Sequence, residues 1–212
     1  MNNLFRRGKT LFARFRPSKA TSKDTAPVAA PAFLVETPSP AYREDWEKRL
    51  AAARSAQPEA TEEVCRKKVV NDLVEKFLDD SIPLIGETFV ILAAKKYADH
   101  VPEAQEALWK ISEHILLKFE AAFLKLPPTY SPSEETNMRN MLAYVSVSLK
   151  PGSPEEERAV TLWAKLEDRF YGCIPQFALG SALQVAQSAP GGSLLQWRAA
   201  ERASQYIKVA GL

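Results

Sequence analysis

Prolines divide the chain beyond residue 41 into segments of helical length. They occur at Pro58, Pro83, Pro102, Pro127, Pro128, Pro132, Pro151, Pro154, Pro175 and Pro190. A proline is tolerated in the first turn of a helix but breaks a helix interior. The intervening segments carry apolar residues at three- and four-residue steps, which is the helical period. The spacing therefore predicts an all-α fold, either an irregular helical bundle or a short α-solenoid of about seven to eight helices, with an extended proline-rich N-terminal arm.

Local signals place the helix boundaries. Two segments, Ser131–Glu134 and Ser153–Glu156, combine a serine N-cap, a proline next and a glutamate three residues after the cap. This pattern predicts a capping box at the start of a helix. Tyr144 to Leu149 alternates as a strand would, but it follows a marked helix start and is assigned to a helix. The predicted helices cover residues 41–56, 60–79, 82–98, 102–126, 132–149, 154–171, 174–188 and 193–209.

Residues 1–16 form a basic amphipathic segment. Its apolar residues Leu4, Phe5, Leu11, Phe12 and Phe15 share one helical face, whereas Arg6, Arg7, Arg14 and Arg16 occupy the rest of the surface. The first acidic residue of the chain is Asp24. Arginine-rich, acid-free amphipathic N-termini resemble mitochondrial transit peptides, and they also bind anionic membranes. The segment therefore predicts targeting or docking; solvated disorder and contact with RNA phosphates are the alternatives.

A proline- and alanine-rich linker follows at residues 17–40. It is interrupted by a short apolar cluster, of which Phe33 and Leu34 are candidates for a partner interface. Residues 41–212 are predicted to form a single helical domain. Its first helix is mostly polar, so Trp46 within it is expected to anchor that helix onto the body or onto a partner.

The overall charge conceals an asymmetry. The net charge is +2, but seven of the 28 basic residues precede Asp24, which leaves 21 basic against 26 acidic side chains, or −5, in the remainder. A mildly acidic body argues against nucleic acid as its main ligand. No run of 18 apolar residues that would span a membrane is present.

An internal duplication would relate residues 60–125 to residues 154–210. Aligned at an offset of 92, the pairs are Val70 with Leu162, Val74 with Leu166, Leu78 with Phe170, and Ile82-Pro83 with Ile174-Pro175. Trp109 matches Trp197 at an offset of 88. The alternative is that unrelated helices reuse proline starts and apolar steps. A true duplication would favour the solenoid.

Candidate catalytic residues are few and poorly placed. Only two histidines are present, and neither His100 nor His114 has the glutamate three residues earlier that a carboxylate di-iron site requires. Cys65 and Cys173 lie in or beside apolar stretches, where a buried inert thiol is expected. No glycine-rich phosphate loop or nucleophile elbow occurs. The sequence predicts no catalytic residue, no metal site and no cofactor.

Clusters of charge receive structural interpretations. The glutamates at 155–157 complement the positive end of a helix, and Asp79-Asp80 is expected to cap the next one. The basic runs at 66–68 and 95–96 lack interleaved aromatic residues and indicate a solvated face. Gly180-Ser181, flanked by helix formers, is interpreted as a point of close helix packing.

Together these features predict a non-catalytic accessory subunit of a mitochondrial assembly, either a respiratory complex, the ATP synthase or the mitoribosome. It would reside in the matrix or on the matrix side of the inner membrane. Its partners would be other protein subunits, with peripheral contact to anionic lipid through the N-terminal segment. No small-molecule substrate is expected. The alternatives are a helical adaptor or RNA-associated factor acting outside a stable complex, and an enzyme with an unrecognised site.

Overall fold

Eight α-helices account for most of the residues that the computed structural model describes, namely 39–78, 82, 84–123, 132–171 and 175–210. No strand occurs within these ranges, so the predicted all-α class is confirmed. The helices are α1 (Ser39–Ala56), α2 (Glu62–Phe77), α3 (Glu87–His100), α4 (Gln105–Phe123), α5 (Pro132–Ser148), α6 (Pro154–Tyr171), α7 (Pro175–Ser188) and α8 (Leu194–Ala210).

Helix starts predicted from proline agree with the observed ones, with two differences in detail. Pro132, Pro154 and Pro175 are the first residues of α5, α6 and α7. By contrast, α3 and α4 are each preceded by a 3₁₀ turn, Leu84–Gly86 and Pro102–Ala104. The tighter i to i+3 bonding of a 3₁₀ turn is a frequent form of helix terminus, and it moves the α-helical start a few residues beyond the proline.

The helices pair in chain order as four hairpins. The connections between partners are short, at residues 57–61, 101–104, 149–153 and 189–193. The hairpins α1–α2, α3–α4, α5–α6 and α7–α8 hold the most extensive helix contacts, and each hairpin packs mainly on its neighbours in sequence. Within the described residues, the order of packing is therefore that of a short stack of hairpins.

The main core runs through the last six helices. It centres on apolar side chains of α3, α4, α5 and α6, and α7 and α8 contribute from one side. Its largest fully buried members are Trp163, Phe119, Ile91, Ile111, Ile115, Leu116, Met141, Leu142, Leu166 and Leu195. Residues 144–148 form the end of α5, as predicted, so the strand-like alternation from Tyr144 to Leu149 has no structural counterpart. Val145 and Leu149 of this stretch lie in the core.

A second core attaches the first hairpin to the stack. Trp46, only 1 % exposed, packs with residues of α1, α2, α3 and α4, among them Leu50, Val69 and Leu73. The indole of Trp46 is therefore used to anchor α1 onto the body. Cys65 lies in the same cluster as a buried free thiol, as expected for a structural cysteine.

A polar contact fixes the first hairpin against α3. The Tyr97 hydroxyl donates to Oδ2 of Asp45 at 3.0 Å, and Nε of Arg49 donates to the same oxygen at 2.9 Å. Burial raises the pKa of the Tyr97 phenol, and the charge of Asp45 adds to that shift. Burial would raise the pKa of Asp45 too, but the bond from Arg49 and the charge of Lys76 outweigh it, and the pKa lies below its usual value.

Candidate interaction surface

A buried polar network lies beneath the last hairpin. Nη1 of Arg139 on α5 donates to Oγ of Ser181 on α7, and Ser181 donates to Oε1 of Glu167 on α6 at 2.7 Å. Nη1 of Arg139 also lies 3.5 Å from that carboxylate oxygen. Three helices are thereby joined through one point in the interior.

The environment of Glu167 disfavours its charged form. Burial raises the pKa of this carboxyl above its usual value, although the bond from Ser181 and the charge of Arg139 act in the opposite direction. The second oxygen, Oε2, is buried with no hydrogen-bond partner among the described residues. The pair is therefore a buried ion pair whose desolvation is only partly compensated.

A second polar contact ties α8 to α6 at the surface. The Arg202 guanidinium donates to Oδ1 of Asp168 and, at 2.6 Å, to the hydroxyl of Tyr206. Burial would lower the pKa of Arg202, but the bond to Asp168 prevails and the pKa lies above its usual value. The position of the last hairpin is thus set by polar contacts from both of its helices.

Two turns of the same design close the third and fourth hairpins. In the first, Gly152 has a φ of 73°, and the N–H of Glu156 donates to Oγ of Ser153 at 3.2 Å. In the second, Gly192 has a φ of 79°, and the N–H of Gln196 donates to Oγ of Ser193 at 3.2 Å. Each glycine occupies the left-handed region that favours it.

The capping glutamate bonds to a different backbone group than the capping-box pattern prescribes. Oε2 of Glu156 accepts from the N–H of Gly152 at 2.7 Å, one residue before the expected cap N–H. Gln196 repeats this contact, accepting from Gly192 at 2.8 Å. Ser193 and Gln196 were not predicted as a capping pair, because Leu194 rather than a proline follows the serine. The capping predicted at Ser131 lies outside the described residues.

An open groove of about 890 Å³ separates these two turns. Its walls are mostly apolar and come from the ends of α5 and α7, both turns and the first half of α8, and Glu156 at the start of α6 also lines it. The lining includes Val147, Leu149, Pro151, Ala186, Pro190, Leu194, Trp197 and Ala200. Trp197 stands at this groove with 61 % of its surface exposed.

The outer surface of α7 carries no charge. No charged residue occurs anywhere in α7, alone among the eight described helices. Its exposed positions include Phe177 (57 %) and Leu183 (40 %), and α8 also exposes Trp197 and Ile207 (38 %). We refer to the exposed, uncharged residues of α7 and α8 as the C-terminal face: Gln176, Phe177, Leu183, Gln184, Gln187, Ser188, Trp197, Ala200, Ser204, Gln205, Ile207 and Val209. Lys208 is exposed on α8 among them.

The first hairpin has the opposite character. Its exposed side is covered with ion pairs: Arg54 to Glu62 at 2.6 Å, Arg66 to Glu62 at 3.2 Å, and Lys67 to Glu63 at 2.8 Å. The run 66–68 is thus a solvated face, as predicted. In stacked helical proteins a terminal repeat needs a polar outer surface to be soluble. One end of this stack has such a surface, whereas at the other end α7 is uncharged and exposes apolar side chains among uncharged polar ones.

The sequence-predicted docking residues lie mostly outside the described residues. These are Leu4, Phe5, Arg6, Arg7, Leu11, Phe12, Arg14, Phe15 and Arg16 of the N-terminal segment, and Phe33 and Leu34 of the linker. Trp46 is described and is buried in the chain's own second core. Of the four tryptophans, it is Trp197 whose side chain is most available to a partner.

The residues weighed for chemistry are not brought together. His100 stacks on the Tyr42 ring at a centroid distance of 5.1 Å, and Glu155 lies 3.9 Å from Arg158. Cys173 and Asp79-Asp80 lie outside the described residues. Within the described ranges, no three His, Cys, Asp or Glu side chains are grouped as metal ligands, and no helix has the length and apolar character to cross a membrane.

Comparison of the chain with protein-family models, with curated proteins and with solved structures finds no match. The proposed function therefore depends on the residues and contacts described above.

Proposed function

We propose that this chain is a non-catalytic helical subunit of a mitochondrial multiprotein assembly, attached to its partners through the C-terminal face. The observation that carries the proposal is the contrast between the two ends of the hairpin stack. Ion pairs cover the first hairpin, whereas α7 has no charge and exposes Phe177 and Leu183. An exposed apolar patch beside an aromatic anchor is typical of a protein interface.

The rigidity of the last hairpin supports a docking role. Arg139 and Glu167 hold α7 through Ser181, and Asp168 holds α8 through Arg202. A surface that is fixed before its partner arrives loses little conformational entropy on binding, and this favours affinity. We infer that the buried network serves to present the C-terminal face in one orientation.

The composition of the N-terminal segment supports the proposed mitochondrial localisation. Its arginines and its apolar face are the features that a cationic amphiphile needs to bind an anionic membrane and to respond to a membrane potential negative inside. The proposal therefore has two parts: a mitochondrial targeting signal in residues 1–16 and a docking surface in α7 and α8. Separate experiments test the two parts.

The targeting signal is tested with a fluorescent reporter that carries residues 1–40 at its N-terminus. We expect the reporter to enter mitochondria, and we expect replacement of Arg6, Arg7, Arg14 and Arg16 by glutamine to leave it in the cytosol. Replacement of Lys19 and Lys23, which lie beyond the amphipathic segment, is the matched control and preserves import. A wild-type reporter that stays in the cytosol would contradict the proposed targeting role of residues 1–16.

The docking role is tested by affinity purification of the C-terminally tagged full chain from its own cells. We expect a fixed set of mitochondrial proteins to co-purify with the wild type and to be lost from Trp197→Glu. Leu117→Glu, at a side chain of α4 that is 50 % exposed, is the matched control and retains them. Recovery of the wild type alone would contradict the role.

A further inference from the structure

We propose that the first hairpin, α1–α2, is a strap that opens as one unit while the other six described helices stay folded. The inference does not depend on the docking role or on the mitochondrial localisation proposed above. In proteins built from stacked helical hairpins each unit contacts mainly its neighbours, so unfolding can begin at one end without involving the rest. The contacts of the described residues identify the first hairpin as that end.

The two cores of the stack are separate. Among the described residues, no buried side chain belongs to both cores, and only Val74 and Phe77, both partly buried, pack against both. The last hairpin, by contrast, contributes Val185, Leu195 and Ala199 to the main core itself. Departure of the first hairpin therefore leaves the main core largely closed, whereas departure of the last hairpin would open it.

Most of the second core holds α1 and α2 to each other. Of its eleven buried members among the described residues, seven lie on the first hairpin, including the large side chains of Trp46 and Leu73. Arg54 of α1 also pairs with Glu62 of α2 at 2.6 Å. The hairpin can therefore keep its own contacts when it leaves the stack. The body contributes the other four members: Tyr97, Val101, Ala104 and Ala107.

Two of the polar contacts between the first hairpin and the body are exposed. Arg43 on α1 donates to Glu103 at 2.8 and 3.1 Å, and Nζ of Lys110 on α4 donates to Asn71 on α2 at 3.2 Å. Exposed contacts of this kind contribute little to stability, because water competes for both partners. The last hairpin is instead joined to α5 and α6 by a buried polar network.

Tyr97 of α3 is the centre of the joint between the first hairpin and the body. Its ring meets the rings of Tyr42 and Phe77 edge-on, at centroid distances of 5.4 and 6.4 Å. Its hydroxyl donates to Oδ2 of Asp45 at 3.0 Å, in a partly buried position. Tyr97→Phe therefore removes the polar closure of the strap while the ring remains to fill the core.

Opening brings a buried thiol into solvent. Cys65 of α2 is 1 % exposed and belongs to the second core, so its reaction with a thiol reagent reports departure of the hairpin. The first hairpin also follows the N-terminal segment in sequence. Import would draw that segment through the membrane first, so unfolding would begin at the hairpin that opens most readily. This consequence, unlike the opening itself, rests on the proposed function.

The test is the rate at which Cys65 reacts with an aromatic disulfide in the full chain, with Cys173→Ser present throughout so that one thiol remains. We expect the rate to rise with urea less steeply than global unfolding does, because opening exposes less surface. Tyr97→Phe is expected to raise the rate about tenfold. Tyr206→Phe is the matched control, since it removes a hydroxyl bonded to Asp168 at the other end of the stack, and it reacts as the wild type does.

Hydrogen exchange followed by mass spectrometry locates the opening. We expect the amides of α1 and α2 to exchange together, ahead of those of α3 to α8, and Tyr97→Phe to accelerate that set alone. A Cys65 rate with the urea dependence of global unfolding, measured by circular dichroism, overturns the strap. So does an equal rate in Tyr97→Phe and the wild type, or exchange that begins in α7 and α8. Each of these results leaves the docking role standing, because that role depends on the C-terminal face.

Discussion

The Ser181 hydroxyl on α7 donates a 2.7 Å hydrogen bond to Oε1 of Glu167 on α6, in the interior of the stack. Arg139 on α5 donates to the same hydroxyl, so one serine joins a buried cation to a buried carboxylate. The contact connects the core with the uncharged helix above it. The proposed docking role requires a rigid hairpin, and this network adds to the apolar packing of Ala178, Ala182 and Val185 in holding α7 in place.

Breaking the network on one side is predicted to cost more than replacing it entirely. Arg139→Met leaves the Glu167 carboxylate buried without its cation, and we expect a loss of about 3–5 kcal/mol in the free energy of unfolding. The triple variant Arg139→Met, Ser181→Ala, Glu167→Leu leaves no buried charge and is expected to lie within about 1.5 kcal/mol of the wild type. Urea titration of both variants measures the difference. Equal losses in the single and triple variants would exclude the ion pair as the cause.

The pKa of Glu167 gives the stability a dependence on pH that Glu167→Gln removes. Because burial raises this pKa in the folded state, the folded chain takes up the proton first as the pH falls from 7 towards the usual value of 4.5. Protonation of Glu167 therefore stabilises the wild type on acidification through this window. We expect the free energy of unfolding of Glu167→Gln, relative to the wild type, to decrease as the pH falls. A difference that does not change with pH would contradict the burial of a charged Glu167.

The two glycine turns give a prediction with an internal control. Gly152 and Gly192 have positive φ, and apart from the glycine and its two chain neighbours no atom of the described residues lies within 4 Å of a Cβ built on either of them. The whole cost of Gly192→Ala or Gly152→Ala is therefore backbone strain, which we expect to be about 1–2 kcal/mol. Gly191 has equally open space without a positive φ, so Gly191→Ala is expected to change stability by less than about 0.5 kcal/mol. Thermal unfolding of the three variants compares them directly, and equal effects at Gly191 and Gly192 would refute the strain.

Much of the fold could be predicted from the sequence because its signals are local. A proline and a serine N-cap act within one turn, so α5, α6 and α7 begin at or within a residue of the predicted positions. The α-helical start of α3 was displaced because a 3₁₀ turn at Leu84–Gly86 comes between the proline and the helix. Local signals therefore predicted where the helices lie, but they did not predict which helices begin with a 3₁₀ turn.

The candidate surface was predicted less well, because it depends on residues distant in sequence. Arg139, Glu167 and Ser181 belong to three helices, and apolar periodicity does not show which buried polar groups meet. Gly180-Ser181 was interpreted as close packing, yet Ser181 is a hydrogen-bonding centre and Gly180 has open space above it. One signal was present in the sequence, since a 14-residue helix without a charged residue is unusual at an exposed position.

The internal duplication stays a prediction. Its paired tryptophans have different surroundings: the Trp109 ring lies 5.8 Å from the Lys150 ammonium and is half-buried, whereas Trp197 is 61 % exposed. The Trp197 side chain is therefore more available to a partner than that of Trp109. The proposed docking role depends on this exposure.

The most direct measurement is native electrophoresis of the tagged full chain from fractionated cells, with the wild type beside Trp197→Glu. We predict that the wild type runs in the mitochondrial fraction, in a species much larger than 23.6 kDa. We predict that Trp197→Glu reaches the same fraction but runs as the free chain. Its targeting signal is intact, whereas its docking surface is disrupted. A wild type found in the cytosol as a 23.6 kDa monomer would contradict the account.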